Sequence, residues 1–521
     1  MASSVSFYIF MVPLFPAKKA PEEAMDGDES LHRLLGEDKE TTEEEEELKW
    51  RVGSSSLWKE TCGELKMLWY LAGPAILTSI FQYSLSSVTE TMVGHIGTVE
   101  LAAVGIQNLV IAGIGFGVML GMGSALETLC GQAFGAGDLN MLGIYLQRSW
   151  IILLTTAFFL SFFYIFSTPI LKILGTSDSI AEMAGRFSIY MIPELYAYAI
   201  NFPIQKFLQA QSKVMVMTWI SAVALVLHLF LSWLCIVKLG LGIVGAAITL
   251  DVSWAFLAVG QLYYIMGGGC KDTWTGFSWL AFSNLTEFLW LSLSSAVMLC
   301  LEYWSLMQVL LFAGLLKNPE IEVGASSICL NVDGWIYMIP VGFLAAISVR
   351  VSNELGAGRP KAAKFSVLVV VILSMIIQTT CAVIILLTRY DFPVIFTDNE
   401  LVKKRVSKIS VFLCLSILIG GIQPVFSGVA VGAGWQTTVA YINIGCYYVV
   451  GLTSAFLMGL RFGLGLEGIW GGLLLGMLLQ TIILLIITLK TDWEGQAELA
   501  KERVVNWGGS LNRRLVESVK I

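Results

Sequence analysis

The sequence has little charge, few histidines and no closely spaced cysteines. Charged residues make up 14% of the 521 positions and histidine occurs three times, while 56% of the residues are apolar. About one quarter of the residues of a soluble protein are charged, and a soluble chain this apolar could not cover its own surface, so much of this one must face lipid. The nine cysteines include no Cys-x-x-Cys pair and are typical of small buried residues. No His, Cys, Asp or Glu cluster has metal-ligand spacing and no Ser/His/Asp order is present, so we predict neither a metal site nor an enzyme.

The net charge of −7 belongs to one end of the chain. Residues 1–50 hold thirteen acidic and five basic residues, which leaves a net charge of +1 for the rest of the chain. Basic charge is therefore not concentrated anywhere, which argues against a nucleic-acid partner. Glu43–Glu47 is an unbroken acidic block in a segment too polar to bury a core, so we expect residues 1–58 to form a disordered tail.

Long apolar stretches fill the remainder. A spanning helix needs about 20 mostly apolar residues, and twelve such stretches occur, at 66–92, 100–127, 142–167, 184–209, 215–237, 242–267, 285–315, 323–350, 363–388, 405–430, 437–459 and 465–489. Continuous runs of this length do not fit a strand-built barrel, whose segments are about ten residues of alternating polarity. The sequence predicts an all-α polytopic membrane protein that lies in the lipid bilayer.

An internal repeat divides these spans into two sets of six. Gly135-Ala136-Gly137 reappears as Gly356-Ala357-Gly358, an offset of 221 residues, and Pro203 matches Pro424 at the same offset. We therefore predict an N-lobe at 59–267, an interlobe linker at 268–284, a C-lobe at 285–490 and a C-terminal tail at 491–521. Because each lobe has an even number of spans, the repeat is parallel, and transporters built in this way bind substrate near the repeat interface.

Basic residues indicate the orientation of the chain. When the terminal flanks are included, fifteen Lys and Arg residues lie on one side of the predicted spans and ten on the other. By the positive-inside rule, both termini are predicted to be cytoplasmic.

Two motifs at the repeated glycines carry a family resemblance. Residues 124–137 (SALETLCGQAFGAG) and 349–358 (VRVSNELGAG) resemble paired signatures of the multidrug and toxic compound extrusion (MATE) family, and residues 93–97, 206–211, 300–304 and 427–436 support the likeness. The resemblance covers about 60–490 and is similar in character to plant vacuolar flavonoid exporters. It implies a V-shaped pair of six-helix lobes, a monomer without cofactors that exchanges protons for small organic substrates, and residence in the vacuolar membrane rather than the plasma membrane.

Glu302 is the strongest candidate for proton coupling. It lies in the middle of an apolar span, and Ser295 and Ser305 share its helical face. The resemblance implies a proton-coupling role for this acid, with structural pairing as the alternative. Asp333 in the next span either shares a proton or a hydrogen bond with Glu302 or forms a simple interhelical hydrogen bond. Related eukaryotic proteins often have a further acid in the tenth span, where this chain has Gln423.

Two further sets of residues are predicted to act in transport. Candidates for a substrate cavity, which stack on or hydrogen-bond a planar ligand unless they serve only packing, are Tyr303, Trp304, Trp335, Tyr337, Gln82 and Gln423. Residues of the two signatures, which we interpret as a hinge and a lobe closure with substrate contact as the alternative, are Glu127, Gln132, Gly135, Gly137, Arg350, Asn353, Glu354, Gly356 and Gly358.

The remaining polar residues within spans are given structural roles. Glu90, Glu194, Asp251 and His228 are each interpreted as a packed or hydrogen-bonded residue rather than a coupling group. The alternative function is an anion channel for halides on the same scaffold, which is favoured only by the basic run 403–405 at the mouth of a span.

Overall fold

The structure is a computed structural model that describes residues 38–507, with side chains from Trp58 onward except that of Leu306. The chain divides into two units, Met1–Cys62 and Gly63–Ile521, and the contacts described below all lie in the second unit. Most of the predicted tail 1–58, and the last residues of the predicted tail 491–521, lie outside the described residues.

Every regular element in the described range is a helix. The first half contains α1 (Asp38–Gly94), α2 (Thr98–Gly135), α3 (Leu139–Ile165), α4 (Asp178–Tyr190, continued by Ile192–Ala210), α5 (Val214–Lys238) and α6 (Gly242–Gly269). The second half contains α7 (Leu285–Ala313), α8 (Pro319–Gly356), α9 (Pro360–Leu387), α10 (Glu400–Ala433), α11 (Gln436–Arg461) and α12 (Gly465–Lys490). A shorter helix, α13 (Trp493–Asn506), follows.

The twelve long helices correspond to the twelve predicted spans. Within the described residues, ten of them are long and apolar enough to cross a membrane. The other two are α1, which begins in the acidic segment, and α4, which is interrupted at Met191. The all-helical fold class predicted from the apolar runs is therefore confirmed.

Helix α1 begins earlier than the sequence led us to expect. It starts at Asp38, so residues 38–58, which we predicted to be disordered, are helical. The physical reason lies in the spacing of charges, since Glu45 precedes Lys49 and Glu47 precedes Arg51 by four residues. Opposite charges at this spacing lie on one helical face and stabilise a helix.

The backbone repeats the pattern seen in the sequence. Helices α2 and α8 end at Gly135 and Gly356, and each is followed by a glycine with positive φ, 78° at Gly137 and 69° at Gly358. Glycine adopts this left-handed conformation without the steric cost that other residues incur. Both halves therefore use the same turn to reverse the chain.

Two helices are interrupted near functional residues. Helix α10 stops at Gly420 and resumes at Gln423, with Pro424 in the first turn of its second segment. Helix α4 resumes at Ile192 with Pro193 in its first turn. Proline lacks a backbone N–H and fits the first turn of a helix, where that group has no intrahelical partner.

Glycines bring the two halves together at the end of the bundle where α2 and α8 terminate, which we call the signature end. A Cβ atom on Gly135 would overlap the backbone carbonyl of Asn353, and one on Gly356 would overlap the backbone of Gln132. The two helices therefore approach so closely that only glycine fits at these crossings.

Helix α13 crosses between the halves at the same end. In the second half, Arg503 Nη1 donates to the carbonyl of Ala433 at 2.9 Å. In the first half, the buried Arg148 of α3 donates to the carbonyl of Trp507 at 3.4 Å and to Ser283 Oγ at 3.0 Å. A buried arginine whose partners are carbonyl and hydroxyl oxygens thus attaches both the predicted linker 268–284 and the residue after α13 to the first half.

Candidate functional site

Glu302 lies inside the second half, with its side chain turned away from lipid. It is 9% exposed, and its Oε1 atom accepts hydrogen bonds from Ser427 Oγ at 2.9 Å and from Asn443 Nδ2 at 3.1 Å. These donors come from α10 and α11, so three helices meet at one carboxyl oxygen. Both donors are neutral, and the carboxylate has no cationic partner among the described residues to balance its charge.

Further neutral side chains extend this arrangement into an acid network, which comprises Glu302, Gln423, Ser427, Asn443 and Gln480. Gln423 Nε2 donates to Ser427 Oγ at 3.1 Å, and Gln480 Nε2 donates to Asn443 Oδ1 at 3.2 Å. Asn443 Nδ2 also donates to the carbonyl of Met298 at 3.0 Å. The network fixes the orientation of the Asn443 amide, because its oxygen must face Gln480 and its nitrogen must face Glu302.

Asp333 does not share a hydrogen bond with Glu302, which was one of its two predicted roles. It accepts a hydrogen bond from Ser416 Oγ at 3.0 Å, and this links α8 to the first segment of α10. The alternative prediction, an interhelical hydrogen bond, describes the geometry better. The break in α10 therefore separates Ser416, the partner of Asp333, from Gln423 and Ser427, which belong to the acid network.

A small cavity lies beside Glu302. It has a volume of about 30 Å³ and is lined by Glu302, Ser305, Tyr337, Ser416 and Gln423 together with apolar and aromatic residues of α7, α8, α11 and α12. A polar cavity needs at least about 10–15 Å³ to hold a water molecule, so this one is large enough to hold water. Since the cavity reaches both Glu302 and Ser416, it connects the acid network to the hydroxyl that holds Asp333.

Two of the predicted cavity aromatics lie between the halves. The ring of Tyr303 is 6.3 Å from that of Phe116 in α2, and the ring of Trp335 is 5.1 Å from that of Tyr83 in α1. Tyr303 and Trp335 remain 37% and 38% exposed, so part of each ring is free to meet another molecule. Glu302 and Tyr303 are adjacent on α7, where one contacts the interior of the second half and the other contacts the first half.

The other cavity candidates lie elsewhere. Tyr337 and Gln423 line the small cavity beside Glu302 rather than the space between the halves. Gln82 Nε2 donates to Ser221 Oγ at 3.4 Å within the first half. Trp304 is half-buried. The predicted set therefore does not form one site.

The signature residues meet in a closing seam, which we define by the contacts of α1, α2 and α4 with α8, α10 and α11 at the signature end. Gln132 Nε2 donates to the carbonyl of Gly432 at 3.2 Å, and Asn353 Nδ2 donates to the carbonyl of Ala210 at 3.2 Å. Gln436 Nε2 of the second half donates to Thr128 Oγ1 of the first at 2.7 Å. Amide side chains from each half thus satisfy backbone or hydroxyl groups of the other.

A buried ion pair completes the seam. Arg350 of α8 binds Glu64 of α1 through two hydrogen bonds of 2.9 Å, and the side chains are 10% and 9% exposed. Arg350 also contacts Glu354 at 2.7 Å, and Ser366 Oγ donates to Glu64 at 2.6 Å. By contrast, Glu127 pairs with Lys206 at 2.8 Å inside the first half, so this signature residue does not bridge the halves.

Several residues of the site were not singled out from the sequence. Ser416 and Asn443 donate hydrogen bonds to the predicted acids, Gln480 donates to Asn443, and Glu64 accepts hydrogen bonds from Arg350. Polar residues inside apolar spans are a signal that would have found the first three. Glu64 offers no such signal, because it precedes the first predicted span.

No group of three or more metal-ligating side chains occurs among the described residues. The arrangement instead consists of two related six-helix halves, a carboxyl group buried in one of them, and a polar seam at one end. These features define a membrane transporter built from two repeated halves.

Comparison with known proteins gives the family. The MatE family model matches twice, over residues 74–234 and 294–457, once in each half. Protein DETOXIFICATION 29 of Arabidopsis thaliana is 56% identical over 449 residues, which cover 86% of this chain and 90% of that protein. Protein DETOXIFICATION 33 of the same plant is 54% identical over 465 residues, which cover 89% of this chain and 96% of that protein. The chain therefore belongs to the MATE family.

Solved structures share the fold. The eukaryotic MATE transporter AtDTX14 is 34% identical, with a TM-score of 0.82 over 85% of this chain and 100% of that chain. The Vibrio cholerae transporter VcmN, at 19% identity and a TM-score of 0.74 over 84% of this chain and 100% of its own, shows the likeness of the fold alone. The predicted family and twelve-helix fold are confirmed, as is the prediction that the chain is not an enzyme. The protein is a multi-pass membrane transporter with a general role in the efflux of small molecules.

Proposed function

We propose that the protein is a proton-coupled antiporter that removes planar organic solutes from the cytosol, with Glu302 as the proton-binding group. The observation that carries this proposal is the uncompensated charge of Glu302 within a network of neutral donors. A carboxylate away from water is costly unless it is paired or neutralised. A proton supplies that neutralisation, so the state of Glu302 responds to the proton gradient across the membrane.

Protonation changes what the acid network can do. Ser427 and Asn443 both donate to Oε1 of Glu302, and these bonds are strongest while the carboxyl group is charged. A neutral Glu302 holds α10 and α11 less firmly. Since Tyr303 is the next residue of α7 and contacts Phe116 of the first half, a small movement of α7 reaches the interface between the halves directly.

Asp333 shares the proton-binding role of Glu302 in this cycle, so that the two acids act as one proton site. Its partner Ser416 lines the same cavity as Glu302, and the cavity is large enough to hold water. Water in this space would connect Glu302 to Ser416 by hydrogen bonds. In this scheme Asp333 and Glu302 act on the two segments of the broken helix α10.

Aromatic residues support a planar organic substrate such as a flavonoid. Tyr303 and Trp335 each present a partly free ring between the halves, and aromatic rings bind flat ligands by stacking. We place the protein, as a monomer, in the vacuolar membrane with both termini in the cytosol, so that the signature end faces the cytosol and substrate is released into the vacuole. Antibody access to terminal epitopes in intact vacuoles tests this orientation.

The basic run 403–405 gives little support to the alternative function of a halide channel. Arg405, the last residue of the basic run 403–405, binds Glu322 at 2.7 Å and Glu467 through two bonds of 2.8 Å. Lys403 pairs with Glu400 at 3.1 Å. Carboxylates already occupy these two positive groups, so they are poor attractants for a halide ion.

Uptake into vesicles that contain the purified full-length protein tests the proposal. The probe is apigetrin, an uncharged flavonoid glucoside, and the driving force is an imposed pH gradient with the membrane potential clamped at zero. We expect Glu302→Gln to reduce the gradient-driven uptake at least about tenfold, because a glutamine cannot bind the proton. Glu90→Gln is the matched control, since Glu90 is a half-buried acid of α1 that accepts a hydrogen bond from Asn108 at 2.7 Å. Full uptake by Glu302→Gln, or halide currents without a proton gradient, would sink the proposal.

A further inference from the structure

The first half contains a buried acid that the proposed cycle does not use. Glu194 lies in the first turn of the second segment of α4 and is 4% exposed. Its Oε1 atom accepts a hydrogen bond from the hydroxyl of Tyr198 at 2.8 Å. We had interpreted this residue from the sequence as a structural one.

Asp251 of α6 has a different role beside it. Its Oδ1 atom accepts a hydrogen bond of 3.0 Å from the backbone N–H of Glu194. The first N–H groups of a helix have no intrahelical partner, and a carboxylate there also interacts favourably with the helix dipole. Asp251 therefore caps the resumed helix, an arrangement that favours its ionised form, whereas the carboxyl group of Glu194 accepts its hydrogen bond from a neutral tyrosine hydroxyl.

The surroundings of Glu194 offer it no balancing positive charge. The titratable groups that face it are Tyr198 of the same helix, Asp251 of α6 and Tyr164 of α3. In the described part of this half, the buried Lys206 pairs with Glu127 and the buried Arg148 binds carbonyl and hydroxyl oxygens. An ionised Glu194 would thus add a second negative charge next to Asp251, which a proton removes.

Aromatic rings connect this acid to the interface between the halves. The ring of Tyr198 is 5.6 Å from that of Phe116, which is in turn 6.3 Å from the ring of Tyr303 in the second half. On its other side, Tyr198 packs 4.7 Å from Trp254, whose buried indole N–H has no hydrogen-bond partner. The ring of Tyr198, whose hydroxyl binds Glu194, is therefore separated by one side chain, that of Phe116, from Tyr303, the neighbour of Glu302.

We propose that Glu194 is a second proton-binding group of the transport cycle, located in the first half, and that Tyr198 transmits its protonation state to the contact between Phe116 and Tyr303. This inference rests on the proposed proton coupling, but it assigns a separate proton to a separate residue. The ionised acid holds the Tyr198 hydroxyl firmly at Oε1, while in the neutral acid the same oxygen accepts a weaker hydrogen bond from that hydroxyl. No covalent bond forms or breaks apart from the transfer of the proton to and from water.

Infrared difference spectra of the full-length protein in lipid vesicles test the proton site without any substrate. Spectra are recorded between about pH 4 and about pH 8. This range begins near the ordinary pKa of carboxyl groups and ends just below that of the cysteine thiol. We expect Glu194→Gln to lack one component of the carbonyl stretch of protonated carboxyl groups. Glu90→Gln should retain that component in full. Tyr198→Phe should shift the same component to higher wavenumber, because it removes a hydrogen-bond donor. An unchanged carboxyl region in both Glu194→Gln and Tyr198→Phe would overturn the proposal, and Tyr198→Phe alone decides if Glu194→Gln does not fold.

The number of protons per substrate gives a second, independent measurement. At zero membrane potential, each coupled proton raises the limiting accumulation of an uncharged substrate about tenfold per pH unit. With apigetrin as the probe, we expect about 100-fold accumulation per pH unit for the unaltered protein and about tenfold for Glu194→Gln. Equal accumulation by the two proteins would contradict the assignment.

The two proposals fail in different ways. If Glu302→Gln keeps its proton coupling while Glu194→Gln loses one proton per substrate, the role of Glu302 is wrong and that of Glu194 stands. If Glu194→Gln matches the unaltered protein in both measurements while Glu302→Gln is uncoupled, only the further inference is wrong.

Discussion

The closing seam should open when its buried ion pair loses one charge. Arg350 binds Glu64 across the halves through two hydrogen bonds, and both side chains are about nine-tenths buried. Glu64→Gln keeps the shape of the side chain and its oxygen acceptor but removes the negative charge. We expect the variant to favour states in which the signature end is open.

The structure sets the size of this effect. Removal of one partner from a buried ion pair costs about 3–5 kcal/mol when the remaining charge has no other partner. Here Arg350 keeps its contact of 2.7 Å with Glu354, and glutamine can still accept one hydrogen bond, so about 2 kcal/mol is a reasonable value. That free energy corresponds to a shift of about 30-fold in the ratio of open to closed molecules.

Single-molecule fluorescence between two dyes measures this ratio. Asn140 and Lys361 suit the dyes because both are exposed in the first turns of α3 and α9, at equivalent positions of the repeat. Encoded unnatural amino acids attach the dyes, since the nine native cysteines would otherwise react. The expected result is a larger population with a long distance between the dyes.

A matched variant separates seam opening from loss of an ion pair in general. Glu322 binds Arg405 at 2.7 Å, but both residues belong to the second half and lie away from the signature end. Glu322→Gln should therefore leave the distance distribution unchanged. If Glu64→Gln gives the same distribution as the unaltered protein, or if Glu322→Gln shifts it equally, the ion pair does not hold the seam closed.

Two further substitutions address the helices that meet at the signature end. Gly356→Ala should lower uptake of apigetrin at least about tenfold, because the added Cβ overlaps the backbone of Gln132 and overpacking of this kind costs about 1–3 kcal/mol. Gly105→Ala, whose Cβ meets nothing within 4 Å, should retain uptake. Equal uptake by both variants would refute the steric argument. Arg148→Met should weaken the attachment of α13, since it leaves buried carbonyl oxygens without a donor at a cost of about 1–3 kcal/mol. Hydrogen exchange across Trp493–Asn506 should then accelerate at least about fivefold, and unchanged exchange would show that Arg148 does not anchor the helix.

The fold was predictable because its signals are long or repeated. A run of about 20 apolar residues predicts each spanning helix, and the repeated Gly-Ala-Gly turns at Gly135 and Gly356 indicate two equivalent halves. The interruptions of α4 and α10 were harder to predict. Pro193 lies at the break in α4 and Pro424 at the break in α10. Pro203 and Pro340, however, lie inside continuous helices, so proline alone does not locate a break.

The site was only partly predictable from the sequence. Glu302 stands out because a charged group in the middle of an apolar span is rare. Its partner Asn443 and the Gln480 that donates to Asn443 are uncharged and lie 141 and 178 residues further along the chain, so only tertiary packing reveals that they form a network. The neighbourhood of Glu194 and Asp251 has the same origin, since the two residues are separated by 57 positions and come from different helices.

The repeated frame also bears on how the two halves have diverged. Turn glycines recur one repeat apart, but the acids do not, because Phe81 stands one repeat before Glu302 and Leu415 stands one repeat after Glu194. Gene duplication explains such a pattern if the ancestral unit contributed the backbone turns and each copy acquired its own ionisable groups later. A chimaera made from two copies of the same half would then inherit a foldable scaffold but duplicate one set of acids and lose the other.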